Sequence, residues 1–144
     1  MSRDSETGAA STRKTRRGRV LVTGASGFVG REVTAKLVKR GYKPVCLVRD
    51  RERFLSRAQG LSPAQIEAVQ GDLFDKSALA EAAEGVDAAI HLVGIIAERR
   101  LAGQTFERVH VEGTRRVIEA CSAAGVRRFL HMSALGTREG AVSR

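Results

Sequence analysis

The 144-residue sequence has few cysteines, few aromatic side chains and no long apolar run. The two cysteines, Cys46 and Cys121, make neither a disulfide framework nor a metal-binding pattern, so a reducing, cytoplasmic setting is expected. No run reaches the roughly 18 apolar residues that a membrane-spanning helix requires, so an integral membrane protein is not expected. Hydrophobic residues nevertheless make up 42% of the chain and charged residues 28%, an ordinary balance for one globular domain.

Nearly half of the net charge of +9 lies near the start of the chain. Residues 1–19 hold six basic residues against Asp4 and Glu6. This stretch is rich in Ser, Thr, Arg and Gly and lacks apolar periodicity, so residues 1–18 are predicted to be a disordered basic tail. A basic tail can bind nucleic acid, but only 4% of the residues are aromatic and could stack on bases. A solvated tail without a nucleic-acid partner is the favoured interpretation.

Five short apolar runs alternate with longer helical patterns after residue 18. The runs are Val20–Val22, Val45–Val48, Ile66–Val69, Ala88–Val93 and Phe129–Met132. Near-continuous apolar runs of this length are typical of strands that are buried on both faces of a parallel sheet. Between them the sequence predicts helices over residues 28–40, 51–64, 75–84 and 104–124.

This alternation predicts the α/β class, with a doubly wound parallel sheet of five strands in the order 3-2-1-4-5. Ligands bind such sheets beyond the carboxyl ends of the strands, where the winding direction reverses. Here the reversal lies between the first and fourth strands. The loops that follow the strands are therefore where functional residues are expected.

The loop after the first strand, residues 23–30 with the sequence TGASGFVG, is called the glycine loop below. Gly24 suits a tight turn, Gly27 lets a pyrophosphate approach the backbone, and Gly30 lets the helix pack closely on the strand. Free N–H groups at the start of the helix can then hold the anion. Because the loop follows a strand and begins a helix, it predicts a dinucleotide site more strongly than a merely structural turn. The predicted cofactor-binding residues here are Gly24, Ser26, Gly27, Phe28, Val29 and Gly30.

The sequence of the glycine loop resembles that of extended and atypical short-chain dehydrogenases/reductases, a superfamily that includes nucleotide-sugar epimerases and dehydratases. The stretches VHVEGTRRVIEA, residues 109–120, and HMSALG, residues 131–136, are similar to bacterial relatives of the NADPH-binding accessory subunit of respiratory complex I, in the NmrA-like group. The resemblance covers residues 19–144 and implies an incomplete, NAD(P)-binding Rossmann domain that stops after its fifth strand. It implies a truncated oxidoreductase or epimerase. The alternative is a non-catalytic NADPH-binding sensor or accessory subunit.

The end of the second strand indicates which dinucleotide is bound. In this fold an acidic residue there binds the ribose hydroxyls of NAD, whereas an arginine accommodates the 2′-phosphate of NADP. Arg49 takes this position, and Arg51 and Arg53 add positive charge. Asp50 could still reach a ribose hydroxyl, and a charged loop after a strand is common in any case. The residues favour NADP as the cofactor, with NAD as the second choice.

The resemblance implies further contacts with the cofactor. Asp72, at the end of the third strand, matches an aspartate that accepts a hydrogen bond from the adenine amino group, and Leu73 lies beside the ring. The alternative is that Asp72 or Asp75 simply caps the next helix. Val93 and Gly94 follow the fourth strand, where relatives pass their backbone beside the ribose of the cofactor.

In the resembling superfamily, catalysis uses a serine or threonine after the fifth strand and a Tyr-x-x-x-Lys motif on the next helix. The tyrosine exchanges a proton with the substrate, and the lysine lowers the tyrosine pKa. Ser133 matches the serine, although a plain serine at the end of a strand is the alternative. The single tyrosine, Tyr42, lies at the start of the second strand and does not match the motif. We therefore expect this chain to bind the cofactor without turnover.

The three histidines are interpreted as mainly structural, and no metal site is predicted. His91 and His131 lie in runs that are predicted to be buried strands. His110 lies on the inward face of the long helix, where the resembling enzymes often have an asparagine near the catalytic residues. The fifth strand would leave one edge of the sheet unpaired, and such edges recruit other strands, so self-association is expected.

Overall fold

The computed structural model describes residues 18–58, 60–135, 137 and 140. Five parallel strands form one sheet in the order β3-β2-β1-β4-β5, which confirms the predicted class and strand order. The strands are β1 (Arg19–Thr23), β2 (Lys43–Val48), β3 (Glu67–Gln70), β4 (Ala88–His91) and β5 (Arg128–His131). The predicted basic tail, apart from Gly18, lies outside the described residues.

Helices connect the strands in the predicted alternation. They are α1 (Phe28–Lys39), α2 (Arg51–Ser56), α3 (Lys76–Ala83) and α4 (Thr114–Ala123). A π-helical segment, Glu107–Gly113, leads directly into α4, so the single helix predicted over residues 104–124 consists of two parts with different pitch. Such π-helical turns often accompany functional sites.

The helix predicted over residues 51–64 is much shorter in the structure. α2 begins after Asp50, whose carboxylate accepts a hydrogen bond from the backbone N–H of Arg53 at 2.9 Å, and it ends at Ser56. Gly60 has a φ of 75°, a left-handed conformation that does not occur inside a helix. The described residues between α2 and β3, 57–58 and 60–66, form turns and irregular structure.

The sheet separates two hydrophobic clusters. Leu21 belongs to the cluster beneath α3 and α4, which also contains Val117. Val20 and Val22 point to the opposite face and belong to the cluster beneath α1 and α2, which contains Phe54. Helices thus cover both faces of the central strands, which is why those strands have nearly continuous apolar sequences.

The prediction that the fifth strand is buried on both faces is wrong. The residues of β5 are exposed or half-buried, and in the described part of the chain its only sheet neighbour is β4. His131, predicted as a core residue, is exposed, and its ring stacks on that of His91 with the centroids 5.3 Å apart. The reason is that an edge strand lacks the cover that a central strand receives from its neighbours.

The two cysteines are buried and free. Burial raises the pKa of the Cys46 thiol to about 12 and that of the Cys121 thiol to about 11. Both therefore act as small apolar core residues. Among the described residues, no helix combines the length and the apolar character needed to cross a membrane.

Candidate functional site

The described residues form two prominent clefts. One, of about 900 Å³, lies on the outer faces of α3 and α4 and is lined only by these helices and their ends. The other, of about 730 Å³, lies at the carboxyl ends of the strands, where the winding reverses. We take the second as the candidate site, because the loops after four different strands meet there. Its wall consists of Thr23, Gly24, Ser26, Gly27, residues 47–49, 71–74 and 92–95, Arg99, residues 102–104, Arg108 and Val109.

The glycine loop forms one wall of this cleft. Gly24 has a φ of 76°, and a Cβ atom there would lie 3.0 Å from the carbonyl carbon of Leu92, so the loop lies tightly against the chain after β4. The N–H of Gly27 donates to the carbonyl of Gly24 at 3.0 Å and closes the turn. Gly27 is also the N-cap residue of α1 and has no side chain, so the N–H groups of the first turn face no side-chain cap. Those groups are available to an anion.

Three predicted residues of the glycine loop are not part of the cleft wall. Phe28 is 85% exposed and Val29 is 40% exposed at the start of α1. Gly30 is buried, and a Cβ atom there would overlap the carbonyl oxygen of Gly24. Gly30 therefore permits close packing of α1 against the loop, as the sequence predicted, and does not itself face the cleft.

Arg49 is the first residue after β2 and lines the cleft. Its side chain is exposed and makes no hydrogen bond or ion pair with any described residue. Asp50, which could have competed for a ribose hydroxyl, is not in the cleft wall, and its carboxylate caps α2. A free guanidinium therefore faces the cleft, whereas the neighbouring carboxylate is engaged elsewhere.

Asp72 and Asp75 have different local roles. One carboxylate oxygen of Asp72 accepts hydrogen bonds from the N–H groups of Phe74 at 2.7 Å and Asp75 at 3.1 Å, which fixes the turn after β3. Asp75 is the N-cap of α3, and its bond from the N–H of Ala78, followed by that from the Ser77 hydroxyl, lowers the pKa of its carboxyl. Asp72 and Leu73 both line the cleft, whereas Asp75 does not.

His110 holds the loop that follows β4. Its Nε2 atom lies 3.0 Å from the carbonyl oxygen of Ile95 and 3.2 Å from the backbone nitrogen of the same residue. A Cβ atom on Gly94 would lie 2.9 Å from the imidazole ring, so a larger residue would push the two apart. Val93, Gly94 and Ile95 line the cleft, and His110 fixes their position from behind.

His91 is the buried, hydrogen-bonded residue that the sequence predicted. Its Nδ1 atom lies 2.6 Å from the hydroxyl of Thr23, and its Nε2 atom lies 3.0 Å from the hydroxyl of Thr114. Burial, assisted by the nearby His131 and His110 rings, lowers the pKa of His91 to about 4. The neutral imidazole thus links the end of β1, just before the glycine loop, to the start of α4.

Ser133, the predicted catalytic residue, lies after β5 and is exposed. It is not among the residues that line the cleft. The structure brings together Gly24, Ser26, Gly27, Arg49, Asp72, Leu73, Val93 and Gly94 at the cleft.

Two arginines of the cleft wall, Arg99 and Arg108, are not among the residues predicted from the sequence. The guanidinium of Arg108 lies over the ring of Phe74, 4.3 Å from its centroid. Arg99 lies in the loop after β4. The sequence feature that could have identified Arg99 is a basic residue in a loop that follows a strand, because ligands bind at these loops in doubly wound sheets. With Arg49, three arginines and one acid, Asp72, are the charged residues of the wall, which therefore favours an anion.

Comparison with known proteins places these features in a family context. A family described as NAD(P)H-binding matches residues 24–144. A ceramide reductase of Caulobacter vibrioides is 40% identical over 127 residues, which cover 88% of this chain and 38% of the reductase. A 3 beta-hydroxysteroid dehydrogenase/Delta 5-->4-isomerase of Mycobacterium tuberculosis is 38% identical over 124 residues, which cover 81% of this chain and 31% of that enzyme. The chain thus spans about a third of the length of these curated relatives.

A solved structure shows the same architecture. It is a short-chain dehydrogenase/reductase superfamily protein from Agrobacterium tumefaciens with bound NAD. Its sequence is 36% identical, and the TM-score is 0.58 over 78% of this chain and 31% of that chain.

Proposed function

The chain belongs to the NAD(P)H-binding family, within the short-chain dehydrogenase/reductase superfamily, and we propose that it binds NADP(H) in the cleft at the strand ends. In this proposal residues 19–144 are the cofactor domain of an oxidoreductase, and residues 1–18 are a separate tail. The named activities of the two relatives, a reductase and a dehydrogenase/isomerase, favour an oxidoreductase over an epimerase. The two buried, free cysteines support a reducing, cytoplasmic setting.

The position of Arg49 is the observation that favours NADP over NAD. Its guanidinium is exposed in the cleft wall without a partner among the described residues, whereas the carboxylate of Asp50 caps α2. A guanidinium forms charge-assisted hydrogen bonds with a phosphate, and no unengaged carboxylate beside it competes for the ribose hydroxyls. We assign the 2′-phosphate of the cofactor to Arg49.

The other cleft residues fit the remaining groups of the dinucleotide. The pyrophosphate is assigned to Gly24, Ser26, Gly27 and the first turn of α1, where backbone N–H groups are available. Asp72 and Leu73 are assigned to adenine. Val93 and Gly94 are assigned to the ribose, because both line the cleft directly after β4.

Whether this chain contributes to catalysis depends on Ser133. In the proposal it orients the substrate oxygen of the oxidoreductase, but it is not part of the cleft wall. The 144 residues contain one tyrosine, Tyr42, which lies just before β2, and the general acid of the superfamily is therefore not among them. The position of Ser133 outside the cleft wall favours the second candidate, a non-catalytic NADPH-binding sensor or accessory subunit.

Displacement of NADPH by the two halves of the cofactor tests the proposal. The cofactor is bound to the 144-residue chain and followed by its fluorescence while 2′,5′-ADP or nicotinamide mononucleotide is added. We expect 2′,5′-ADP to displace NADPH, because it carries both the adenosine and the 2′-phosphate, and nicotinamide mononucleotide to have little effect. Absence of NADPH binding, or displacement by both halves alike, would contradict the proposal.

A further inference from the structure

The segment after β4 forms a short hairpin, Glu98–Phe106, whose conformation is fixed by its own hydrogen bonds. The N–H of Arg99 donates to the carbonyl of Gln104 at 2.8 Å, and the N–H of Gln104 donates to the carbonyl of Arg99 at 3.1 Å. Glu98 accepts the N–H of Phe106 at 2.8 Å, which pins the base of the hairpin to the start of the π-helical segment. These three hydrogen bonds hold the two sides of the hairpin together.

Two adjacent arginines of this hairpin have different surroundings. The Nε atom of Arg100 donates to Glu98 at 2.9 Å, and Arg100 is not in the cleft wall. The hydrogen bond from the Phe106 N–H, and then that from Arg100, lowers the pKa of the Glu98 carboxyl, which favours its charged form. Arg99 lines the cleft, and its guanidinium has no hydrogen bond or ion pair with any described residue.

A chain of contacts links the base of the hairpin to the turn after β3, which adjoins Arg49. The N–H of Gly71 donates to the carbonyl of Val48 at 2.9 Å, so the turn after β3 lies directly beside Arg49. Phe74 of that turn lies beneath the guanidinium of Arg108, at the start of the π-helical segment to which the hairpin is pinned. Arg99 thus lines the same cleft as Arg49 but belongs to a different wall.

We propose that Arg99 is a second ligand of the 2′-phosphate and approaches it from the loop after β4, whereas Arg49 approaches it from the end of β2. This inference rests on the proposed binding of NADP(H). The 2′-phosphate carries about two negative charges near neutral pH, and one guanidinium leaves part of that charge unpaired. The only acid in the cleft wall, Asp72, forms no ion pair with Arg99, and its carboxylate binds backbone N–H groups of its own turn.

Calorimetric titration of the Arg99→Ala chain with NADPH and NADH tests the inference, with Arg100→Ala as the matched control. Both variants lose one positive charge from the same hairpin, but only Arg99 lines the cleft. We expect Arg99→Ala to weaken NADPH binding about tenfold or more and to leave NADH binding nearly unchanged. We expect Arg100→Ala to change the two affinities little and equally.

Equal losses of NADPH affinity in Arg99→Ala and Arg100→Ala would overturn the inference, because they would reflect only the loss of one positive charge near the cleft. An equal loss of NADPH and NADH in Arg99→Ala would also overturn it, since the contact would then not involve the 2′-phosphate. If Arg99→Ala unfolds, Arg99→Lys retains the charge without the planar fork and should bind NADPH with intermediate affinity. Wild-type affinity for NADPH in Arg99→Lys, together with an unfolded Arg99→Ala, would indicate a structural role instead.

Failure of this inference can be distinguished from failure of the proposed function. If the wild-type chain shows no preference for NADPH over NADH, the proposed cofactor is wrong and Arg99 has no phosphate to bind. If the preference is present and Arg49→Ala abolishes it while Arg99→Ala retains it, the proposed function stands and only the role of Arg99 is wrong.

Discussion

A Cβ atom on Gly30 would overlap the carbonyl oxygen of Gly24, because the first turn of α1 lies directly against the glycine loop. A Cβ atom on Gly27 would lie 3.2 Å from the same oxygen, a tight contact that a small shift relieves. The structure therefore separates a glycine that packing requires from a glycine at which a methyl group nearly fits.

Alanine substitutions at these two positions should have different effects. Gly30→Ala forces α1 away from the loop and should lower the free energy of unfolding by about 1–3 kcal/mol, as overpacking does. Gly27→Ala should retain nearly wild-type stability but weaken NADPH binding about tenfold or more, because its methyl group occupies the approach of the pyrophosphate. Denaturant melts and NADPH titrations measure the two effects. Wild-type affinity in Gly27→Ala would remove this residue from the proposed site.

Stability should fall between pH 6.5 and pH 4 because of His91. Its pKa is about 4 in the fold against 6.5 for the unfolded side chain, so the unfolded chain takes up a proton first as the pH falls. The stability that neutral His91 provides is fully present above pH 6.5 and is lost as the pH falls toward 4. By pH 4 the free energy of unfolding should have fallen by on the order of 2–3 kcal/mol. Denaturant melts across this range measure the effect.

His91→Gln is the control for this pH dependence. Glutamine keeps hydrogen-bonding groups near Thr23 and Thr114 but does not titrate. Carboxyls with a lowered pKa, such as that of Asp75, also stabilise the fold less as the pH falls. Because both proteins contain these carboxyls, their effect on stability is the same in each. The wild-type protein should therefore lose more stability than the variant between pH 6.5 and pH 4. Parallel curves for the two proteins would show that His91 does not control stability in this range.

The chain should not turn over substrate by itself. Its single tyrosine, Tyr42, lies just before β2, and no Tyr-x-x-x-Lys motif is present among the 144 residues. Oxidation of NADPH in the presence of carbonyl substrates should match the control without protein. A rate above that control, lost in Ser133→Ala, would prove this expectation wrong and indicate an unrecognised acid.

The chain should self-associate at micromolar concentration. On its outer side β5 pairs with no strand among the described residues, and Leu130 in this strand is 56% exposed. Unpaired backbone groups beside apolar side chains recruit other strands. Light scattering over a range of concentrations measures the association, and Leu130→Lys should reduce it. A sharp monomer peak throughout, together with a cooperative melt, would count against the exposed-edge argument.

Features that depend on local pattern could be predicted from the sequence. The alternation of five apolar runs with helical patterns sufficed for the strand order, because crossover connections between parallel strands are right-handed. The spacing of Gly24, Gly27 and Gly30 sufficed for the glycine loop, which follows from backbone sterics. The exposure of His131 could not be predicted, because it depends on what covers the edge of the sheet. Basic residues after β4 are evident in the sequence, but which of them lines the cleft depends on the conformation of the hairpin, which the local pattern does not give.

The most direct test of the account compares NADPH and NADH binding to the wild-type chain and to Arg49→Ala by calorimetry. Loss of a charge-assisted contact with the 2′-phosphate should weaken NADPH binding by about ten- to hundredfold. Binding of NADH, which lacks that phosphate, should change little. Equal losses for the two cofactors, or no loss for either, would remove Arg49 from the phosphate site and contradict the assignment of NADP(H) to this cleft.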